Sequence, residues 1–300
     1  MALEVRQQVA ASPGAPLPRA AGVVLAGGRS SRMGAAKASL EWHGSTLLRR
    51  TAGVLRRAGL DPVVVVRAPG QELPDLPPWV QLADDPEEGL GPLQGIAVGL
   101  ARAATAGSPA AFVCSTDLPF LHAAFVARVL SPLDDADLDV VLPIARGYPQ
   151  PLAAAYRTGL APAVAALVDA RRLRPAFLFE QVRTLRLDDA ALLADATLRA
   201  ADPTLDSVLN VNEPADYDEA RSRAIPFVTV ECFGVLATGA AGRGPHEHPA
   251  ATVGAAARAV GIDLDRHVLA AVNGDQTGRD PELPLFAGDR VAFVTADAGG

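Results

Sequence analysis

Four consecutive valines, Val63 to Val66, constrain the fold of this chain more than any other feature. A β-branched run without polar alternation suits a strand covered on both faces, and such strands belong to parallel sheets with helices on each side. The flanking sequence supplies both kinds of partner. Gly22 to Leu25 is a second apolar run. Ser45 is positioned to cap a helix in which Leu47, Thr51, Val54, Leu55 and Ala58 share one face, ending at Gly59. Further along, the pattern predicts a strand or loop near Trp79 to Leu82, a helix from about Leu93 and a strand Ala111 to Ser115. A helix around Phe125 to Leu130 and a strand Val140 to Ile144 follow. The expected fold class is α/β, a doubly wound, mostly parallel sheet, followed by a small α+β unit.

Three hundred residues favour two domains, and a 49% hydrophobic content poor in aromatics suits cores of Ala, Val and Leu. Residues 1–19, rich in Pro and Ala, are expected to be a disordered leader. A formal charge of −7 argues against a nucleic-acid partner. No apolar run is long enough to cross a bilayer and the leader lacks a secretory apolar core, so no membrane partner and a cytoplasmic location are expected. Cys114 and Cys232 each sit in an apolar strand-like run, as buried thiols do.

In a doubly wound sheet, ligands bind at the carboxyl ends of strands, and four motifs fall there. The first is LAGGRSSRMGAAK, Leu25 to Lys37. Gly27 and Gly28 let an anion approach the backbone closely, and Arg29, Arg32 and Lys37 supply charge, which suits a polyphosphate. Gly28 and Gly34 lack the P-loop spacing, and the string is not a dinucleotide fingerprint. The second, DDPEEGLGPLQG, Asp84 to Gly95, makes a tight loop entering a helix, suited to a flat base as well as phosphate. The third, FVCSTDLPF, ends a strand in Asp117, a group that can cap a turn or give an oxygen ligand to Mg²⁺. In the fourth, LNVNEPADYDEA, Asn210 and Asn212 alternate around Val211 before Glu213-Pro214 opens a helix, and Asn212 could be its cap.

These strings together resemble the molybdenum cofactor guanylyltransferase family of GT-A-like nucleotidyltransferases, whose pattern reads LAGGxSxRMGxDKA. Ala36 stands where many members carry Asp before the lysine. The resemblance implies a nucleotide site of Leu25, Ala26, Gly27, Gly28, Arg29, Ser30, Gly34, Lys37, Gly91, Pro92, Leu93 and Gly95. Its acid is Asp84 or Asp85, with Asp85 favoured by spacing. It further implies Mg²⁺ on Asp117, and Gln150, Arg172 or Arg174, Asn210 and Asn212 on the acceptor side. The expected reaction is transfer of GMP from GTP to molybdopterin, with Lys37 and Arg32 steadying the triphosphate. The base is not legible from the residues, so transfer of another nucleotide such as CMP, or to another phosphate acceptor, stays open, as does a non-catalytic sulfur carrier whose first domain only binds a nucleotide or pterin.

Past Arg223 a new pattern begins. Phe227 to Phe233 alternates as a strand, with Val228, Val230 and Cys232 on one face. A Gly, Ala and His loop leads to a helix near Thr252 with Val253, Ala256, Ala257 and Val260 inward. Leu269 to Val272 and Val291 to Val294 read as strands, and Asn273-Gly274 as a turn. His246-Glu247-His248 reads as a solvated loop without the further ligands of a zinc site. AVNGD, LFAGDRVAF and the Gly299-Gly300 pair resemble the small sulfur-carrying subunit of molybdopterin synthase and the thiamine sulfur carriers. That resemblance implies a β-grasp domain over residues 226–300, next to a transferase domain over 20–223. Gly300 would be activated by an E1-like adenylating enzyme and then serve the molybdopterin synthase large subunit.

Overall fold

The computed structural model describes residues 19–27, 36–238, 244–277 and 279–295. The readings on the leader up to residue 18, on Gly28, Arg29, Ser30, Arg32 and Gly34, and on Gly299 and Gly300 lie outside the described residues.

The first half alternates as expected: β1 (Ala20–Leu25), α1 (Leu47–Arg57), β2 (Val63–Arg67), β3 (Val80–Asp84), α2 (Pro92–Thr105), β4 (Ala110–Ser115) and α3 (Ala123–Leu130). Then come β5 (Val140–Ala145), β6 (Tyr148–Pro149), β7 (Ala153–Arg157), α4 (Ala161–Asp169), α5 (Ala176–Phe179) and β8 (Thr184–Asp188). Short helices α6 (Asp189–Leu193), α7 (Ala196–Ala201) and α8 (Pro214–Ser222) close this part. The strands form one sheet in the order β3-β2-β1-β4-β7-β5-β6, with β8 beside β5. β3, β2, β1 and β4 run parallel, whereas β7 is antiparallel to both β4 and β5.

The valine run behaves as its composition requires. Val63 and Val65 enter the core on one face of the sheet with Leu48, Ala52 and Leu55 of α1; Val64 and Val66 enter the other with Leu93, Ile96 and Leu100 of α2. All four valines are at most 1% exposed. α2 lies so close to β1 that a Cβ on Gly99 would stand 2.3 Å from Val23 Cγ1. Gly99→Ala therefore overpacks the centre of the sheet. Alanine returns about 1 kcal/mol of helix propensity, so the expected net loss is about 1–2 kcal/mol, read as a drop in the unfolding midpoint. A midpoint that holds or rises would show that α2 can lift off β1 at no cost.

Two local readings are corrected. Thr46, not Ser45, caps α1: its hydroxyl accepts from Arg49 N–H, while the Ser45 hydroxyl donates to Glu282 at 2.8 Å. Extended backbone at Thr46 leaves its side chain one turn from the free N–H, which is what an N-cap needs. Likewise α8 is capped by Glu213, whose N–H is held by Asp216, so Asn212 is left to other work.

The second half builds a separate five-stranded sheet from β9 (Phe227–Cys232), β10 (His246–Pro249), β11 (Val268–Val272), β12 (Asp275–Gln276) and β13 (Arg290–Thr295). Its order is β10-β9-β13-β11-β12, and α9 (Val253–Ala259) completes its core. β9 and β13 are parallel at the centre and the other pairs antiparallel. The expected inward residues Val228, Val230, Cys232, Val253, Ala256, Ala257 and Val260 all belong to that core. His246-Glu247-His248 is an edge strand rather than a loop, because its backbone pairs with β9 from Val228 to Val230. Among the described residues no group of three or more His, Cys, Asp or Glu is gathered as for a metal ion, and no helix is long and apolar enough to cross a membrane. Both cysteines are free and buried.

Candidate active site

A cleft of about 1030 Å³ opens at the carboxyl ends of β1, β2, β3 and β4. The chain leaves β1 through Leu25, Ala26 and Gly27, and β2 through Ala68, Pro69, Gly70 and Gln71. Gln71 ties the two exits together: its Nε2 donates to Ala26 O at 2.9 Å and its Oε1 accepts from Ala68 N–H at 3.0 Å. A Cβ on Gly27 would stand 3.2 Å from Ala68 N, so the loop entrance is kept narrow.

The far wall is the loop from Asp85 into α2. Gly91 takes φ +74°, a backbone state that L side chains rarely adopt, and Pro92 opens the helix with its fixed φ and no N–H to satisfy. Gln94 is buried and donates to Glu87 O at 2.6 Å, pinning the acidic loop over the helix start. The choice between Asp84 and Asp85 is resolved in position. Asp84 pairs with Arg67 at 2.6 Å, while Asp85 lines the cleft. Asp85 Oδ1 is buried and has no hydrogen-bond partner among the described residues. Burial raises the carboxyl pKa above the ordinary Asp value, and a bond from Gln94 acts the other way. A carboxylate held with one bare oxygen in a cleft is an acceptor waiting for a donor.

The floor carries the charges. Lys37 Nζ lies 3.0 Å from Asp117 Oδ2 and 2.9 Å from Asn212 Oδ1, and Ser115 donates its hydroxyl to Asp117 Oδ1. Residues from three distant parts of the sequence meet here because Val211 N–H bonds to Asp117 O, fastening the Asn212 segment to the end of β4. Lys37 and Asp117 side chains are each about a fifth exposed, at 20% and 18%. Asp216 accepts the Asn212 and Glu213 N–H groups, which holds its pKa down and fixes the turn behind Asn212. With Ala36 in place of an acid, the partners of Lys37 include Asp117 and Asn212.

Of the residues expected on sequence grounds, the cleft brings together Leu25, Ala26, Gly27, Lys37, Asp85, Gly91, Pro92, Gly95 and Asp117, with Asn212 at its floor. Leu93 is fully buried in the core under α2 and so does not reach a ligand. Gln150 and Arg172 do not line the cleft, and neither do Arg174 and Asn210. The Gln150 amide donates to Ala145 O. Arg172 stacks on Phe177 at 4.3 Å and faces Glu180 at 3.8 Å, while Arg174 and Asn210 are exposed. Gln71, Gln94, Ser115, Thr116 and Leu152 line the cleft without having been anticipated. Gln71 had a readable signal, since Pro69-Gly70 breaks the chain right after the valine strand, where a doubly wound sheet puts its ligands.

Parallel strands ending in a glycine turn, a lysine and a strand-terminal carboxylate define a nucleotidyltransferase. Residues 22–187 match the family described as the MobA-like NTP transferase domain, and the chain belongs to that family. It is 43% identical over 169 residues to a probable molybdenum cofactor guanylyltransferase of Mycobacterium tuberculosis H37Rv, covering 56% of this chain and 82% of that protein. The probable molybdenum cofactor guanylyltransferase of Mycobacterium ulcerans is 40% identical over 184 residues, 60% of this chain and 90% of that protein. In fold the chain resembles the crystal structure of molybdopterin-guanine dinucleotide biosynthesis protein A from Archaeoglobus fulgidus, with TM-score 0.51 and 22% identity. That likeness covers 67% of this chain and 96% of that one.

Proposed function

We propose that the first part of the chain transfers GMP from GTP to the terminal phosphate of molybdopterin, free or metal-loaded, and releases pyrophosphate. The observation that carries this reading is the meeting of Lys37, Asp117 and Asn212 at the floor of a cleft whose wall bears the bare Asp85 oxygen. An acceptor phosphate oxygen attacks the α-phosphorus, the bond to the β-phosphate bridging oxygen breaks, and pyrophosphate departs with that electron pair. Transfers of this kind depend on positioning and charge neutralisation rather than on a covalent nucleophile.

Asp117 Oδ2 and Asn212 Oδ1 already converge on one cation, the Lys37 ammonium, so this floor selects positive charge and offers hard oxygen donors that fit a divalent ion. Asp117, with Asn212 and Ser115 beside it, would hold magnesium, which when bound supplies charge neutralisation on the triphosphate oxygens. Lys37, released from Asp117, then reaches the triphosphate as a mobile point charge. Gly27, which has no side chain, admits the phosphates closely. Asp85 suits guanine, which presents two adjacent N–H donors to a carboxylate, better than cytosine, which presents a donor next to an acceptor.

Asp85→Asn is expected to reduce kcat/KM for GTP by about 10–100-fold, the worth of a charge-assisted bond in a partly enclosed cleft, while leaving CTP near its low baseline. A pH series adds a sign. The raised pKa of Asp85 means it protonates at higher pH than an ordinary carboxyl, so KM for GTP should rise as pH falls toward the acid range, and Asp85→Asn should flatten that rise. Pyrophosphate release measured with each nucleoside triphosphate and molybdopterin tests the function itself. Release from none of them would reject the transferase.

We further infer that residues 226–300 form a β-grasp sulfur carrier. The supporting observation is the strand order, in which the first and last strands lie parallel at the centre and a helix crosses between two hairpins. Incubation of the full chain with an E1-like adenylating enzyme, ATP and a sulfur source should exchange one oxygen of Gly300 for sulfur in the intact mass. An unmodified Gly300 would reject the carrier.

A further inference from the structure

A second cleft, of about 800 Å³, opens between the two halves, and none of its lining residues lines the nucleotide cleft. Arg50 and Arg57 of α1, Phe120, His122, Phe286 and Asp289 meet in it. Its charges do not balance. Both guanidinium groups lie against the Phe286 ring, Arg57 at 4.6 Å and Arg50 at 5.9 Å from the centroid. Among the described lining residues the one carboxylate is Asp289, taken by Arg57 in a two-bond fork of 2.6 and 3.0 Å. Arg50 donates Nε–H to Pro119 O at 2.6 Å, and its two terminal nitrogens have no acceptor among the described residues. Burial, then the nearby Arg57 charge, lowers the Arg50 pKa to about 10, which still leaves it a cation at neutral pH.

A second donor stands beside it. The His122 ring lies 4.1 Å from the same Phe286 ring and accepts the Ala124 N–H on Nδ1 at 3.0 Å. Burial lowers the His122 pKa, so the ring is neutral at pH 7 and its proton is on Nε2, with no acceptor among the described residues. Around these two donors the lining includes the apolar surfaces of Phe120, Phe286, Trp42 and a bank of alanines on α3 and α7, with His43, Thr197 and Asn273 as further polar groups. Arg223 lies over Phe120 at 4.4 Å but is already paired with Asp206 at 2.7 Å.

We propose that this cleft binds a small organic anion, a carboxylate or phosphate carried on a flat apolar body, with Arg50 as its principal cation and His122 as a second donor. The anion supplies the acceptor that Arg50 lacks, and the body packs against Phe120 and Phe286. Desolvated aromatic walls strengthen the ion pair relative to one on an open surface. Because α1 supplies one side and the Phe286 to Asp289 segment the other, an occupant bridges both halves of the chain.

Calorimetric titration of the full chain with phenyl phosphate, benzoate, inorganic phosphate and uncharged benzyl alcohol tests this. Phenyl phosphate, benzoate or both should bind at least tenfold more tightly than benzyl alcohol and than inorganic phosphate, and the stronger of the two names the head group. Arg50→Met, which keeps the stem, should weaken that binding at least tenfold. Ala127→Phe on α3 adds bulk to the cleft lining while keeping Arg50 and should abolish binding while the unfolding midpoint stays in place. The Lys37→Ala protein should bind as the parent does, since Lys37 lines the other cleft. Failure of both aromatic anions to exceed benzyl alcohol, undiminished binding in Arg50→Met, or parallel loss in Lys37→Ala would each overturn the proposal.

Discussion

Asp117→Ala is expected to lower kcat for pyrophosphate release about 10³-fold, equivalent to ~4 kcal/mol of transition-state stabilisation, with little change in stability. The carboxylate accepts a hydrogen bond from Lys37 and lines the same cleft as Gly27, past which the phosphate chain enters in the proposed transfer. Removing it deletes an anionic partner of Lys37 and the oxygen that would hold the divalent ion, two losses that weigh most as charge develops on the transferring phosphate. Folding should be spared for two reasons. The backbone bond from Val211 N–H to Asp117 O does not involve the side chain, and the Lys37 left behind keeps Asn212 Oδ1 as an acceptor and part of its surface in water. Asp117→Asn separates charge from shape: it keeps an oxygen for Lys37 but not the negative charge, and should be nearly as slow as the alanine protein. Activity within tenfold of the parent in either variant would remove Asp117 from the chemistry.

Much of this site is legible in the chain because strand-terminal chemistry is local. Val63–Val66 reports its own double burial, and a doubly wound sheet dictates that the residues just past Leu25, Asp84 and Ser115 share one edge. The side chains that missed the cleft did so for reasons no motif carries. Leu93 sits one residue past Pro92, where the helical turn points it into the sheet rather than at a ligand. Arg172 has an aromatic ring within reach, and stacking on Phe177 takes it from any phosphate. Thr46 displaces Ser45 as cap because the identity of the cap depends on which residue keeps extended backbone, and neighbouring hydroxyls compete for that place. The docking of the two halves was illegible altogether. It depends on Gly53, where an added Cβ would stand 2.4 Å from Pro284 Cδ, and on ion pairs joining residues more than two hundred positions apart.

Arg57→Met should cost about 3–5 kcal/mol, the penalty of leaving a buried carboxylate without its cation. Arg57 and Asp289 side chains are 14% and 7% exposed, so water does little to screen them or to replace a lost partner. Asp289 is also the centre of its own turn: its carboxylate accepts from Asn273 Nδ2 at 2.8 Å and Phe286 N–H at 2.7 Å, besides the Arg57 fork. Methionine keeps a stem of similar length but removes the charge, the guanidinium stacking on Phe286, the fork to Asp289 and the further bond from Arg57 to Pro284 O at 2.9 Å. The remaining carboxylate is then buried with two neutral donors and no cation, which is the costly half of a broken pair. Asp289→Asn lessens that burden, so a double-mutant cycle in urea should return a coupling energy of about 1–3 kcal/mol. The denaturant slope should stay unchanged if the halves unfold together, because the surface exposed is then the same. A loss below about 1 kcal/mol for Arg57→Met would show that the fork behaves as an exposed pair, and that α1 does not hold the second sheet through it.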